Sequence, residues 1–98
     1  MQYYCNSLTS YQRLLTREVK VGNIIIGNGQ PIRVQTMTTT DTMDTDLTVA
    51  QVIKCIQAGA ELVRITAPSK KEAENLANIK AALNAQGYDI PLVADIHF

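Results

Sequence analysis

Pro91-Leu92-Val93-Ala94-Asp95-Ile96-His97-Phe98 is an apolar run that turns polar only at its C-terminal end. Four apolar residues followed by an acid, an aliphatic, a histidine and an aromatic read as a buried strand whose tip carries chemistry. In parallel α/β folds, ligands sit beyond the carboxyl ends of the strands, so polar side chains there reach a site while the apolar part stays in the core. A strand this apolar should be flanked by neighbours, and the rest of the sequence shows where they come from.

Upstream, Leu62-Val63-Arg64-Ile65-Thr66-Ala67 has the same character. It is followed by Pro68 as a stop, Ser69 as an N-cap and Glu72 as a capping-box partner, opening a helix with Ala73, Leu76, Ala77 and Leu83 on its buried side and Gly87 at its end. Before that strand, Val49, Val52, Ile53 and Ile56 recur at i, i+3, i+4, i+7, the period of a helix face. Asp44, Thr45, Asp46 and Thr48 suit its first turn, and Gly59 its C-terminal cap. Ile32 to Met37 alternates as a first strand and runs into Thr38-Thr39-Thr40-Asp41-Thr42, a loop dense in hydroxyls. Earlier still, Glu18-Val19-Lys20-Val21 and Ile24-Ile25-Ile26 flank Gly22-Asn23 as a tight hairpin, closed off by the Gly27 to Pro31 cluster. Residues 1–16, with Tyr3, Tyr4, Tyr11, Leu14 and Leu15, show no strand period and suit a short helix or a loose arm.

The expected fold class is therefore α/β: an N-terminal hairpin, then β-α-β-α-β building a parallel sheet with helices over one face. Three parallel strands leave two open edges and one uncovered face, so the order fits the first part of something longer. The architectures that complete it are an open doubly wound sheet or a closed barrel of eight units, which takes about 250 residues. Side-chain alternation phases the strands. With Val63, Ile65 and Ala67, and Leu92, Ala94 and Ile96, turned toward the helices, the other face collects Gln35, Arg64, Thr66, Asp95 and His97. Its polarity is concentrated toward the strands' C-terminal ends, which a barrel with an open mouth there explains better than a flat sheet.

Each of these residues has two readings. Arg64 and Asp95, on neighbouring strands, form either a structural ion pair or a site in which the guanidinium takes an anionic substrate group bidentately. His97 is either a satisfied core histidine or a general acid/base. The Thr38 to Thr42 hydroxyls are either turn chemistry or donors lining a phosphate site. No glycine-rich phosphate motif is present, because Gly27-Asn28-Gly29 lacks the spacing and precedes a strand.

Composition narrows the class. At 98 residues, 46% hydrophobic and 18% charged, the chain suits one modest core and is too apolar for disorder. Nine basic residues balance nine acidic ones, which removes the usual argument for nucleic acid or an anionic membrane as partner. Arg13, Arg17, Lys20 and Arg33 make the start basic and Asp41, Asp44 and Asp46 make the next segment acidic, as ordinary surface variation. Cys5 and Cys55 are far apart and form no C-x-x-C, so two reduced thiols are expected, with neither a zinc site nor a disulfide framework. No segment approaches the roughly 18 apolar residues of a membrane helix, and no leader pattern opens the chain. A soluble, cytoplasmic protein is expected.

Four blocks carry a family resemblance: Arg17-Glu18-Val19-Lys20-Val21-Gly22-Asn23; Gln35-Thr36-Met37-Thr38 with Thr40-Asp41-Thr42; Ala58 to Thr66; and the Ala-Asp-Ile-His-Phe end. In order and spacing they resemble the 4-hydroxy-3-methylbut-2-enyl diphosphate synthases, iron-sulfur reductases of the methylerythritol phosphate route to isoprenoids. Thr36 and Thr39 stand where Ser and Asn would be expected, and residues 1–16 find no match. The resemblance implies residues 17–98 are the N-terminal part of a TIM barrel akin to dihydropteroate synthase, its bottom plugged by the hairpin. It implies a substrate, 2-C-methyl-erythritol 2,4-cyclodiphosphate, opened and reduced with loss of water. On this basis Arg64, Thr66, Gln35 and Thr38 are candidate substrate-binding residues, and Asp95 and His97 candidate catalytic residues at the mouth. It further implies ferredoxin or flavodoxin as electron donor and a 4Fe-4S cluster held by a separate C-terminal domain, outside whose motifs Cys5 and Cys55 fall. Such a fragment is expected to be inactive alone and to self-associate. The competing readings are a metal-independent, dihydropteroate-synthase-like pterin transferase and a structural module without binding activity.

Overall fold

The computed structural model describes residues 7–97. Tyr3, Tyr4, Cys5 and Phe98, all named above, lie outside the described residues. The chain divides into two compact units, residues 1–32 and 33–98.

In the first unit, β1 (Val19–Val21) and β2 (Ile24–Ile26) pair antiparallel with Val21 opposite Ile24, so Gly22-Asn23 makes the two-residue turn the sequence implies. Gly22 takes φ 58°, the left-handed conformation such turns demand. A second turn follows. Gly27, at φ 88°, lies so close to the Arg17 carbonyl that a Cβ there would be 2.4 Å from its oxygen. The Thr16 hydroxyl accepts from the Asn28 N–H at 3.2 Å, and the Asn28 amide donates to Glu18 at 3.2 Å. Residues 7–16 contain no helix, which settles the arm for its described part.

The second unit is a parallel sheet in the order β3 (Gln35–Met37), β4 (Leu62–Ala67), β5 (Leu92–Ile96), with α1 (Thr45–Gln57) and α2 (Lys70–Ala85) as crossovers. The β-α-β-α-β expectation holds, with four local corrections. The first strand starts at Gln35, three residues later than Ile32, because β4 begins only at Leu62, level with Gln35. There the Val34 carbonyl accepts from the Glu61 and Leu62 N–H groups, and the Glu61 carboxylate takes the Val34 N–H at 3.1 Å. The third strand ends at Ile96, which registers with Ala67, because Pro68 cannot continue the ladder. Ala77 is exposed; the buried stripe of α2 is Asn75, Ile79 and Leu83 at i, i+4, i+8. Finally, the Ser69 hydroxyl donates to the Glu72 carboxylate instead of accepting from the helix backbone.

Asp44 caps α1 as expected, accepting from the Leu47 N–H at 3.1 Å. Val49 and Val52 from α1, Ile79 and Leu83 from α2, and Val63, Ile65 and Ile90 from the sheet side form one core. All are at least nine-tenths buried. Both helices therefore cover the Val63–Ile65 face. On β5, Ala94 and Ile96 are exposed although they alternate toward the helix side. The helix layer stops short of them.

Candidate functional site

The register settles which side chains stand together. Gln35 is level with Leu62, Met37 with Arg64, and Thr66 with Asp95. Side chains of level partners in a parallel ladder share a face. The face away from the helices thus carries Gln35 and Leu62 at its base, Met37, Arg64 and Val93 one layer up, and Thr66 and Asp95 above that. His97 follows Asp95 by two residues, just past the end of β5.

Arg64 does not pair with its level neighbour Val93. Its Nη2 reaches one layer up and meets Asp95 Oδ1 at 3.0 Å. The side chain therefore leans toward the strands' C-terminal ends, with 42% of its surface exposed against 26% for Asp95. Its Nε is enclosed and has no hydrogen-bond partner. The partly exposed remainder of the guanidinium keeps donors beyond the ion pair, which an oxyanion can use. His97 is exposed, with Nδ1 3.1 Å from the Asp95 carbonyl oxygen. The structure thus brings Arg64, Thr66, Asp95 and His97 together at one end.

Two sequence candidates stand elsewhere. Gln35 is on the same face but at the opposite end, four residues of strand below the Thr66 level. That is about 13 Å at the usual rise. Thr38 donates its backbone N–H to the Arg64 carbonyl at 3.0 Å, continuing the ladder one residue past β3. Alternation then puts its side chain on the helix side, where it is buried and its hydroxyl has no partner.

The hydroxyl-rich loop turns out to be braced from within. Thr42 Oγ1 donates to the Thr66 carbonyl at 2.7 Å, Thr48 Oγ1 to the Asp41 carbonyl at 3.0 Å, and the Thr40 and Thr48 hydroxyls meet at 2.8 Å. Gln51 accepts from the Thr39 N–H and donates to its hydroxyl, both at 2.8 Å. From α2, Asn75 donates to the Thr42 carbonyl at 2.7 Å and to the Thr45 hydroxyl at 3.0 Å. Sequence reasoning missed Asn75. The available signal was an amide in register with Ile79 and Leu83 on the buried stripe, where only a satisfied polar group is tolerated.

Two carboxylates are held below the ordinary value of 4.5. For Glu61 the Val34 N–H is the main cause and the Arg33 guanidinium the second. For Glu72 it is the Ser69 hydroxyl first. Both lie away from the Arg64 face and act as structural acceptors. No group of three or more His, Cys, Asp or Glu converges among the described residues. Cys55 is half-buried on α1 against the core, so the described residues offer no ligand set for a four-iron cluster.

The GcpE TIM-barrel domain profile matches residues 16–98. The chain belongs to this family. Among curated relatives, the 4-hydroxy-3-methylbut-2-en-1-yl diphosphate synthase (flavodoxin) of Akkermansia muciniphila is 50% identical over 97% of this chain and 16% of its own length. The chloroplastic, ferredoxin-designated synthase of Arabidopsis thaliana is 52% identical over 99% of this chain and 13% of its own. That of Chlorobaculum tepidum, designated flavodoxin, is 52% identical over 91% and 12%. The chain thus spans about a sixth or less of the relatives it matches. A parallel β-α-β-α-β unit is what the opening of such a barrel should look like, and these names do not favour the pterin-transferase reading. No described helix is long and apolar enough to cross a membrane.

Proposed function

We propose that this chain supplies the first strands of a barrel that binds 2-C-methyl-erythritol 2,4-cyclodiphosphate, in a protein reducing it to 4-hydroxy-3-methylbut-2-enyl diphosphate. The observation that carries the reading is the lean of Arg64. A guanidinium one layer below the strand tips, reaching upward with 42% of its side chain exposed, is placed to take a diphosphate oxygen beyond the sheet. Asp95 holds that guanidinium in place. Thr66, level with Asp95, offers a hydroxyl to the same ligand. His97 presents an imidazole, the side chain most used for general acid–base work, at the mouth.

The names of the relatives support flavodoxin or ferredoxin as electron donor and a diphosphate as product. A 4Fe-4S cluster, which would supply electrons to the bound substrate, would be held by residues outside this chain. Gln35 and Thr38 belong to the barrel wall in this reading, one at its base and the other under the helix layer.

The test is the full natural protein carrying these residues, given the cyclodiphosphate and a reduced flavodoxin or ferredoxin. Conversion is expected, and Arg64→Lys should lower kcat/KM by roughly ten- to a hundredfold because an ammonium cannot match the bidentate fork. A wild-type protein that leaves the cyclodiphosphate untouched would sink the proposal.

A further inference from the structure

One side chain outside the substrate face is tied directly to it. Thr42 is 2% exposed, and its hydroxyl donates to the Thr66 carbonyl at 2.7 Å. Thr66 is one residue from the end of β4, and beyond it Pro68 brings no N–H to the ladder. The tip of β4 is thus held by its pairing with β5 and by this bond from the loop after β3. Thr42 is in turn fixed from α2, because its own carbonyl accepts from Asn75 at 2.7 Å, and Asn75 also holds Thr45 at the start of α1. Asn75, Thr42 and the Thr66 carbonyl therefore form a continuous chain of hydrogen bonds from the helix layer through the loop to the strand tip.

We infer that Thr42, locked by Asn75, is a positioning residue for the anion-binding face, fixing the backbone from which the Thr66 side chain projects level with Asp95. This rests on the proposed reading of that face as a substrate site. The hydroxyl count explains why the loop is built this way. Thr40, Thr42 and Thr48 spend their hydroxyls inside the protein, and the exposed Thr39 hydroxyl accepts from Gln51, so these residues work as a brace beside the site. A tip free to shift by a fraction of an ångström would misplace both Thr66 and, through Asp95, the guanidinium of Arg64.

The experiment uses the full natural protein with Thr42→Val, which keeps shape and removes the donor, and Thr42→Ser, which restores it. Amide hydrogen exchange in Thr42→Val should quicken at Thr66 and Ala67 and stay unchanged at Val63, with Thr42→Ser close to wild type. In turnover, KM for the cyclodiphosphate should rise about three- to tenfold with kcat within about twofold, the span of one lost hydrogen bond, and Ser should recover it. Unchanged exchange at Thr66 and Ala67, or a lower melting temperature with KM unmoved, would overturn the inference. If the wild-type protein does not turn over the cyclodiphosphate, the functional reading falls, and the exchange arm still decides whether Thr42 holds the strand tip.

Discussion

Asn75→Ala is the substitution whose cost can be worked most fully from the structure. The side chain is 9% exposed and spends both amide protons, on the Thr42 carbonyl at 2.7 Å and the Thr45 hydroxyl at 3.0 Å, while its oxygen accepts from Asn78 at 2.9 Å. The two donated hydrogen bonds at about 0.5–1.5 kcal/mol each give about 1–3 kcal/mol, the bond accepted from exposed Asn78 adding little. Alanine returns about 0.5 kcal/mol of helix propensity. The expected net loss is about 0.5–2.5 kcal/mol, out of the roughly 5–15 kcal/mol a domain has to lose. Urea unfolding followed by the circular dichroism of α1 and α2 should show the midpoint falling by about 1 M at a typical slope. Asn78→Ala, which removes only the exposed partner, should move it far less.

Asn75→Asp sharpens the test. It preserves shape but turns a donor into a carboxylate facing the Thr42 carbonyl oxygen, so at neutral pH it should be worse than alanine. The introduced acid would have its folded-state pKa raised, because the charge is buried with one oxygen against the Thr42 carbonyl oxygen. Its penalty is therefore present at neutral pH and relieved as pH falls through that raised value toward the ordinary aspartate value of about 3.9, where the protonated acid can donate one bond. An Asn75→Ala chain as stable as wild type, or an Asp variant whose deficit does not shrink on acidification, would refute the assignment of Asn75 as the clamp of the β3–α1 loop.

Glu61 gives the opposite pH sign. Its folded pKa is depressed by the Val34 N–H and Arg33, so its contribution is present above the ordinary value of 4.5 and lost as pH falls below it; Glu61→Gln should flatten that part of the stability–pH curve, and an unchanged curve would count against the bond. The open edge of β5, with Ile96 59% exposed, should make the 98-residue chain self-associate, and Ile96→Lys should weaken this; a clean monomer mass for the unaltered chain by light scattering at high concentration would remove the argument.

Where period and punctuation agreed, the fold was legible. The i, i+3, i+4, i+7 spacing of Val49, Val52, Ile53 and Ile56 placed α1, and Asp44 and Gly59 marked its ends. Gly22-Asn23 placed the hairpin turn. Leu62–Ala67 came out with its bounds intact because Val63, Ile65 and Ala67 alternate along one apolar face and Pro68 stops it. The misses share a cause: they depend on a partner strand or a tertiary contact. Ile32 and Arg33 read as strand, yet a strand exists only where another lies beside it, and β4 starts too late to reach them. Ala77 is as apolar as Ala73, but small residues fit either face, and Ile79 and Leu83 decide which way α2 turns.

The candidate site was legible as a set of residues on one face, and its depth was not. Alternation assigns Gln35, Arg64, Thr66 and Asp95 to the same side whatever the register, so the sequence could group them without ordering them. Register is what separates Gln35 from Asp95 by two layers. Register also bears on the two readings of the Arg64–Asp95 pair. Had they been level, the ion pair could have lain across the sheet and closed on itself as a structural bridge. They are staggered, and the guanidinium must extend along the strands to meet its partner. On the proposed reading, a long cation drawn upward by an acid at the rim, with 42% of its side chain exposed, is held where a second acceptor can approach from the mouth. On that reading, the pair and the anion site are one arrangement, in which Asp95 aims the group that binds.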